Sequence, residues 1–144
     1  MDSNINMETT YHFKYSKSSW GISIWLTGEI FSISDYKKGG LIRVSPFLCI
    51  ALETSLILSL EEFNYLVKGL QLVADEITKK MEEKTTFVIK IVKLEFALTD
   101  YQPEGLAYAV ANWLAQEFHF TFTGSPIIFD KINNRYIFSF PNII

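Results

Sequence analysis

Cysteine, histidine and charge are all scarce in this chain, and each scarcity closes a class of function. Cys49 stands alone, so no internal disulfide can form. It lies in the apolar run Phe47-Leu48-Cys49-Ile50-Ala51-Leu52, where a small buried hydrophobe is its expected role. The two histidines, His12 and His119, are far apart, and no His, Cys or carboxylate cluster has metal-ligand spacing. Glu117-Phe118-His119 does not supply one, because residues two apart on a helix point in different directions. No metal and no cofactor is therefore expected. Charged residues make up 20% of the chain, below the usual share of about 25%. The net charge of −3 and the pI near 5.4 are opposite to the basic footprint that phosphate backbones require, which argues against nucleic acid as a direct ligand.

Long apolar runs are missing too. No uncharged stretch approaches the roughly 18 residues of a membrane-spanning helix, and Met1-Asp2-Ser3-Asn4 lacks the basic-then-apolar order of a signal peptide. A cytoplasmic protein without a membrane segment is expected. Nor is there a catalytic signature. A Gly-x-Ser-x-Gly elbow is absent, and Gly39-Gly40 has neither the spacing nor the following helix of a phosphate loop. The paired carboxylates Glu61-Glu62, Asp75-Glu76 and Glu82-Glu83 lie mostly along one helical stretch beside lysines, and read as solvated faces. No catalytic residue is assigned, and the expectation is a binding protein rather than an enzyme. Two alternatives stay open. One is a small enzyme or ligand-binding domain whose site is assembled from scattered residues. The other is a structural homo-oligomer, such as a homodimer, that buries spare apolar surface.

What the chain has is core. Its 144 residues, 49% of them apolar, with 12 Phe, 7 Tyr and 3 Trp, suit one domain that buries most of its surface. Residues 1–10 are polar and read as a flexible N-terminus, with a single domain over 11–144. Trp20-Gly21-Ile22-Ser23-Ile24-Trp25-Leu26 alternates, with the even positions apolar and Gly21 and Ser23 facing the other way. Thr27-Gly28 is read as a tight turn into Ile30-Phe31-Ser32-Ile33, giving a first hairpin. Gly39-Gly40 marks a loop, and Leu41–Val44 and Phe47–Leu52 read as strands interrupted at Pro46, an edge or bulge position.

Ser59-Leu60-Glu61-Glu62 is a capping box. Behind it Phe63, Leu66, Val67, Leu70, Val73, Ala74, Ile77 and Met81 form a helical stripe, predicting a helix over 60–81. The segment from Phe87 to Leu98 reads as a strand, its first half apolar on both faces and hence central. Pro103 and Glu104 open a second helix that buries Leu106, Ala109, Val110, Trp113, Leu114 and Phe118. Ile127–Phe129 and Tyr136–Phe140 are expected to pair across Asn133-Asn134. The pattern predicts an α+β fold, a largely antiparallel sheet with two main helices packed on it. If the segment near Leu56–Leu58 shared a sheet with the strand from Phe87, the helix between them would be a crossover.

One charge pattern departs from an even mixture. No lysine or arginine falls between Lys93 and Lys131, yet Glu95, Asp100, Glu104, Glu117 and Asp130 do. The window predicts negative potential around Tyr101, a surface suited to steering and seating a basic partner. Glu95, Asp100, Tyr101, Glu104 and Glu117 are the candidate partner-binding residues.

Asp100-Tyr101-Gln102-Pro103-Glu104-Gly105-Leu106, Trp113-Leu114-Ala115-Gln116-Glu117-Phe118, Ile128-Phe129-Asp130 and Arg135-Tyr136-Ile137-Phe138 together resemble small bacterial immunity proteins, the cytoplasmic partners of polymorphic and contact-dependent toxins. The resemblance is one of style (compact, acidic, aromatic-rich α+β) and transfers no functional residue. It implies a protein that neutralises a cognate toxin by direct contact. A basic toxin domain such as a nuclease would be its partner.

Overall fold

Alternating apolar and polar residues in the first quarter of the chain build two long antiparallel strands. In the computed structural model, which describes residues 7–141, β1 (Thr9–Ser16) pairs along its whole length with β2 (Gly21–Ser32). The N-terminal segment expected to be flexible lies outside the described residues for 1–6, while Thr9 and Thr10 belong to β1. The hairpin expected at Thr27-Gly28 is not there: β2 runs straight through it, and the first hairpin turns at residues 17–20. Gly28 is needed for another reason. A Cβ on it would sit 2.6 Å from Cη2 of Trp113, so glycine lets an indole lie against the strand, at a β-bulge between Thr27 and Gly28.

Beyond β2 come β3 (Ile42–Ser45), β4 (Leu48–Leu52), α1 (Leu60–Lys79), β5 (Phe87–Glu95), a single 3-10 turn at Leu98–Asp100 and α2 (Gly105–Phe118). The five strands form one sheet in the order β1-β2-β5-β4-β3, antiparallel except for the parallel β4/β5 pair that α1 connects. The strand ahead of the crossover is thus β4, not the segment at Leu56–Leu58. The capping box forms as read. Ser59 Oγ accepts the Glu62 N–H at 3.0 Å, and Glu62 Oε1 accepts the Ser59 N–H at 2.9 Å.

Both helices pack on one face of the sheet. Ile22, Ile24 and Leu26 from β2, Leu48 and Ile50 from β4, and Ile89 and Ile91 from β5 meet Leu66, Leu70, Val73 and Ile77 of α1 and Leu106, Val110, Trp113 and Leu114 of α2. Each such side chain contributes about 1.5–3 kcal/mol when fully removed from water. The second helix is more enclosed than its pattern predicted, since Ala107, Tyr108, Ala111 and Ala115 are buried as well. The cause lies downstream. Phe122, Phe138 and Phe140 pack edge-on against the Tyr108 ring, covering the outer side of α2.

The last strands, β6 (Ile128–Asp130) and β7 (Arg135–Ile137), make a separate hairpin with Asn134 at φ 54°, a turn conformation that asparagine tolerates. Tyr136 fastens it. Its hydroxyl donates to the Trp20 carbonyl at 2.6 Å and accepts the Lys17 N–H at 2.9 Å. Its backbone N–H and C=O are both taken by the Gln102 side chain.

Candidate functional site: the open face of the sheet

The helices leave the opposite face of the sheet uncovered, and strand register decides what stands there. Across β4 and β5 that face is closed by the chain itself. Cys49, Ala51 and Val88 form a small apolar cluster under Phe31, Tyr36 and Leu41. Beside them Lys90, only 7% exposed, pairs with Glu53 at 3.0 Å. The bond to Glu53 holds the Lys90 ammonium above its usual range, against the desolvation that would lower it.

Over β1 and β2 the face is bare. Because Cα partners align directly, His12 of β1, Trp25 of β2 and Glu95 of β5 form one straight row across three strands. The His12 and Trp25 rings stack with centroids 3.6 Å apart and planes 10° from parallel. His12 Nε2 shares a 2.6 Å hydrogen bond with Ser23 Oγ, which fixes the ring. Burial, followed by the charge of Lys14, lowers the His12 pKa, so the imidazole behind Trp25 is neutral at pH 7. Trp25 is nevertheless 45% exposed. It lines a depression with Ser23, Glu95, Phe96, Ala97 and Asp100.

The structure divides the five acidic-window candidates. Glu95 and Asp100 come together at this depression. Glu95 lies 3.6 Å from Lys93, an exposed pair of small energetic weight. Tyr101 faces inward. Its ring stacks on Phe96 at 3.6 Å, and its hydroxyl donates to Glu62 Oε2 at 2.5 Å. Burial and the Glu62 carboxylate push its pKa far above the ordinary tyrosine value. Glu104 is held by Arg135 of β7 at 2.6 Å, a basic counterpart brought in from outside the window. Glu117 is twelve residues beyond Gly105 on α2, about 18 Å along the axis at 1.5 Å per residue. The window is therefore not one surface, and two of its members reach the same depression.

Trp25 and His12 were not among the candidates from sequence. A signal for Trp25 existed: the alternation of residues 20–26 places it with Gly21 and Ser23, away from Ile22 and Ile24. His12 had none, since its neighbours follow from the β1/β2 register. Chemically, Ser23 and His12 are a nucleophile and a base in hydrogen-bond contact. Among the described residues no side chain orients the second imidazole nitrogen, as such a pair requires. Among the described residues no three His, Cys, Asp or Glu are placed to hold a metal ion, and no helix is long and apolar enough to cross a membrane. His119, with φ 61°, ends α2 as an exposed left-handed cap.

No family model matches the chain, and no curated protein is significantly similar to it in sequence. The open face thus has to be read from its own chemistry.

Proposed function

We propose that this chain is a non-catalytic binding protein that neutralises a basic toxin domain, such as a nuclease, by direct contact through the open face over β1 and β2. The observation that carries the reading is Trp25, a large aromatic left accessible on a sheet face, backed by the His12 ring and flanked by Glu95 and Asp100. Rigid aromatics are enriched among the residues that dominate interface energies. Flanking carboxylates speed encounter with a cationic surface and fix orientation on it. The immunity-protein style of residues 100–144 supports the choice of a toxin as partner, because a surface built to hold phosphates is basic. The test is capture from the source cell with wild-type protein and with a Trp25→Ala, Glu95→Lys, Asp100→Lys variant. Reconstitution of the captured protein should then give a 1:1 complex in which its activity is inhibited. A partner held equally by the variant, or one whose activity is unaffected in the complex, removes this reading.

A second reading rests on a different patch. Ile57 and Leu60 are 91% and 75% exposed and, with Ile42, Leu56, Leu58 and Phe63, line an apolar depression beside edge strand β3. An edge strand next to apolar surface suits pairing with a second copy of the chain about a two-fold axis. Sedimentation velocity over a concentration series decides it. A monomer at every concentration excludes self-association, and a dimer abolished by Ile57→Asp supports it.

A further inference from the structure

We infer that the depression between Trp25 and the pair Glu95 and Asp100 is a slot for an arginine side chain supplied by the partner. The inference deepens the proposed function and rests on it for the identity of the donor, although the slot has its own chemistry.

Three observations converge. First, the row His12–Trp25–Glu95 places the indole between an imidazole on β1 and a carboxylate on β5. One ring face is closed by the stack, and the indole borders the depression that Glu95 lines. An entering group therefore meets an indole that is already immobilised. Second, the walls differ in kind. Trp25 and Phe96 supply aromatic surface, while Glu95 and Asp100 supply carboxylate oxygens. A planar cation that stacks on a ring face and offers forked N–H donors matches both walls at once, and guanidinium has that shape. An ammonium group would gain the charge but not the stacking. Third, the competing cations are weakly held. The Lys93 contact with Glu95 is long and exposed on both sides, and Asp100 has no ion pair among the described residues. Lys14 borders the neighbouring depression that Asp100 shares, and it is exposed and free to turn outward.

The three tryptophans allow a direct test with the full chain. Indole N–H resonances are followed by 15N NMR at low salt while N-acetyl-arginine methylamide is added, with the citrulline analogue as an uncharged control of the same shape. Trp25→Phe assigns the Trp25 signal. Trp113, whose N–H donates to Thr9 at 2.8 Å, and Trp20, whose N–H donates to Asn134 at 3.0 Å, serve as internal references. The expected result is a saturable shift of Trp25 alone. The affinity should fall about tenfold or more for citrulline, and likewise for the Glu95→Gln, Asp100→Asn variant, as loss of charge-assisted hydrogen bonds implies. Both substituted side chains lie at the surface, and the unchanged reference signals report the fold. A Trp25 signal that stays still, or moves equally with citrulline, overturns the slot. The two readings separate cleanly. If capture requires Trp25 but arginine leaves its indole unmoved, the docking face stands and the slot falls. If arginine binds but Trp25→Ala captures the partner undiminished, the arginine slot stands, while the docking face and the partner as donor of the arginine both fall.

Discussion

Gln102 is the joint between the C-terminal hairpin and the rest of the molecule, and Gln102→Leu isolates its contribution. Its Nε2 donates to the Tyr136 carbonyl at 2.5 Å, and its Oε1 accepts the Tyr136 N–H at 2.8 Å. The side chain thus completes for Tyr136 what a neighbouring strand would otherwise supply. Both residues are buried. Leucine keeps the apolar stem and most of the volume but removes donor and acceptor together. A buried polar group left without a partner costs roughly 1–3 kcal/mol, so two orphaned groups on one residue set the expected loss at about 2–6 kcal/mol. That is a large share of the roughly 5–15 kcal/mol that holds an ordinary domain together. In urea unfolding, with a slope of about 1–3 kcal/mol per molar, the midpoint should fall by ~1 M or more. Hydrogen exchange at the Tyr136 amide should accelerate in parallel, because its acceptor is gone. A midpoint within about 0.3 M of wild type, with Tyr136 still protected, would show that water or a shifted backbone replaces the glutamine and would refute the reasoning.

Three further outcomes are expected. Gly28→Ala drives a methyl into the Trp113 ring, where the clearance is 2.6 Å, and should cost about 1–3 kcal/mol by overpacking; calorimetry should find part of that loss recovered when Trp113→Phe is added. At the Lys90–Glu53 pair, Glu53→Ala leaves a buried ammonium without its carboxylate and should lower the melting temperature more than Lys90→Met, which replaces the charge by an apolar chain of similar length; the reverse order would contradict the assignment. Glu62 is pushed up by burial but pulled further down by the Ser59 N–H and the Tyr101 hydroxyl, so its folded pKa lies below the ordinary value. Its contribution is therefore complete above about pH 4.3 and disappears as pH falls through the lower folded value. Glu62→Gln and Tyr101→Phe should each flatten the fall of the urea midpoint in that acid range.

How far the sequence foretold this molecule depends on the range of the interaction concerned. The start of α1 is written in four adjacent residues, because a capping box joins Ser59 and Glu62 across one helical turn. The turn at Asn134 and the central place of β5 are local in the same sense, one set by a backbone conformation and the other by a run apolar on both faces. Gly28 misled because its reason lies 85 residues away in Trp113, and a glycine that admits a ring looks, in sequence, like one that makes a turn. The helix α2 looked one-sided because its outer cover comes from Phe122, Phe138 and Phe140, which only the folded chain brings to Tyr108. The same limit applies to the site. Glu95 and Asp100 could be picked out by charge, whereas the Arg135 that holds Glu104 and the His12 that backs Trp25 arrive through register and hairpin docking.

The aromatic cover over α2 has a consequence for the order of events during synthesis. The apolar outer side of that helix stays uncovered until Phe122, Phe138 and Phe140, all C-terminal to it, have been made and have docked on Tyr108. Until they follow, a sticky helix is open to chaperones and to other nascent chains. A premature stop codon shortly after α2 should therefore yield an aggregating or rapidly degraded product, not a smaller working protein.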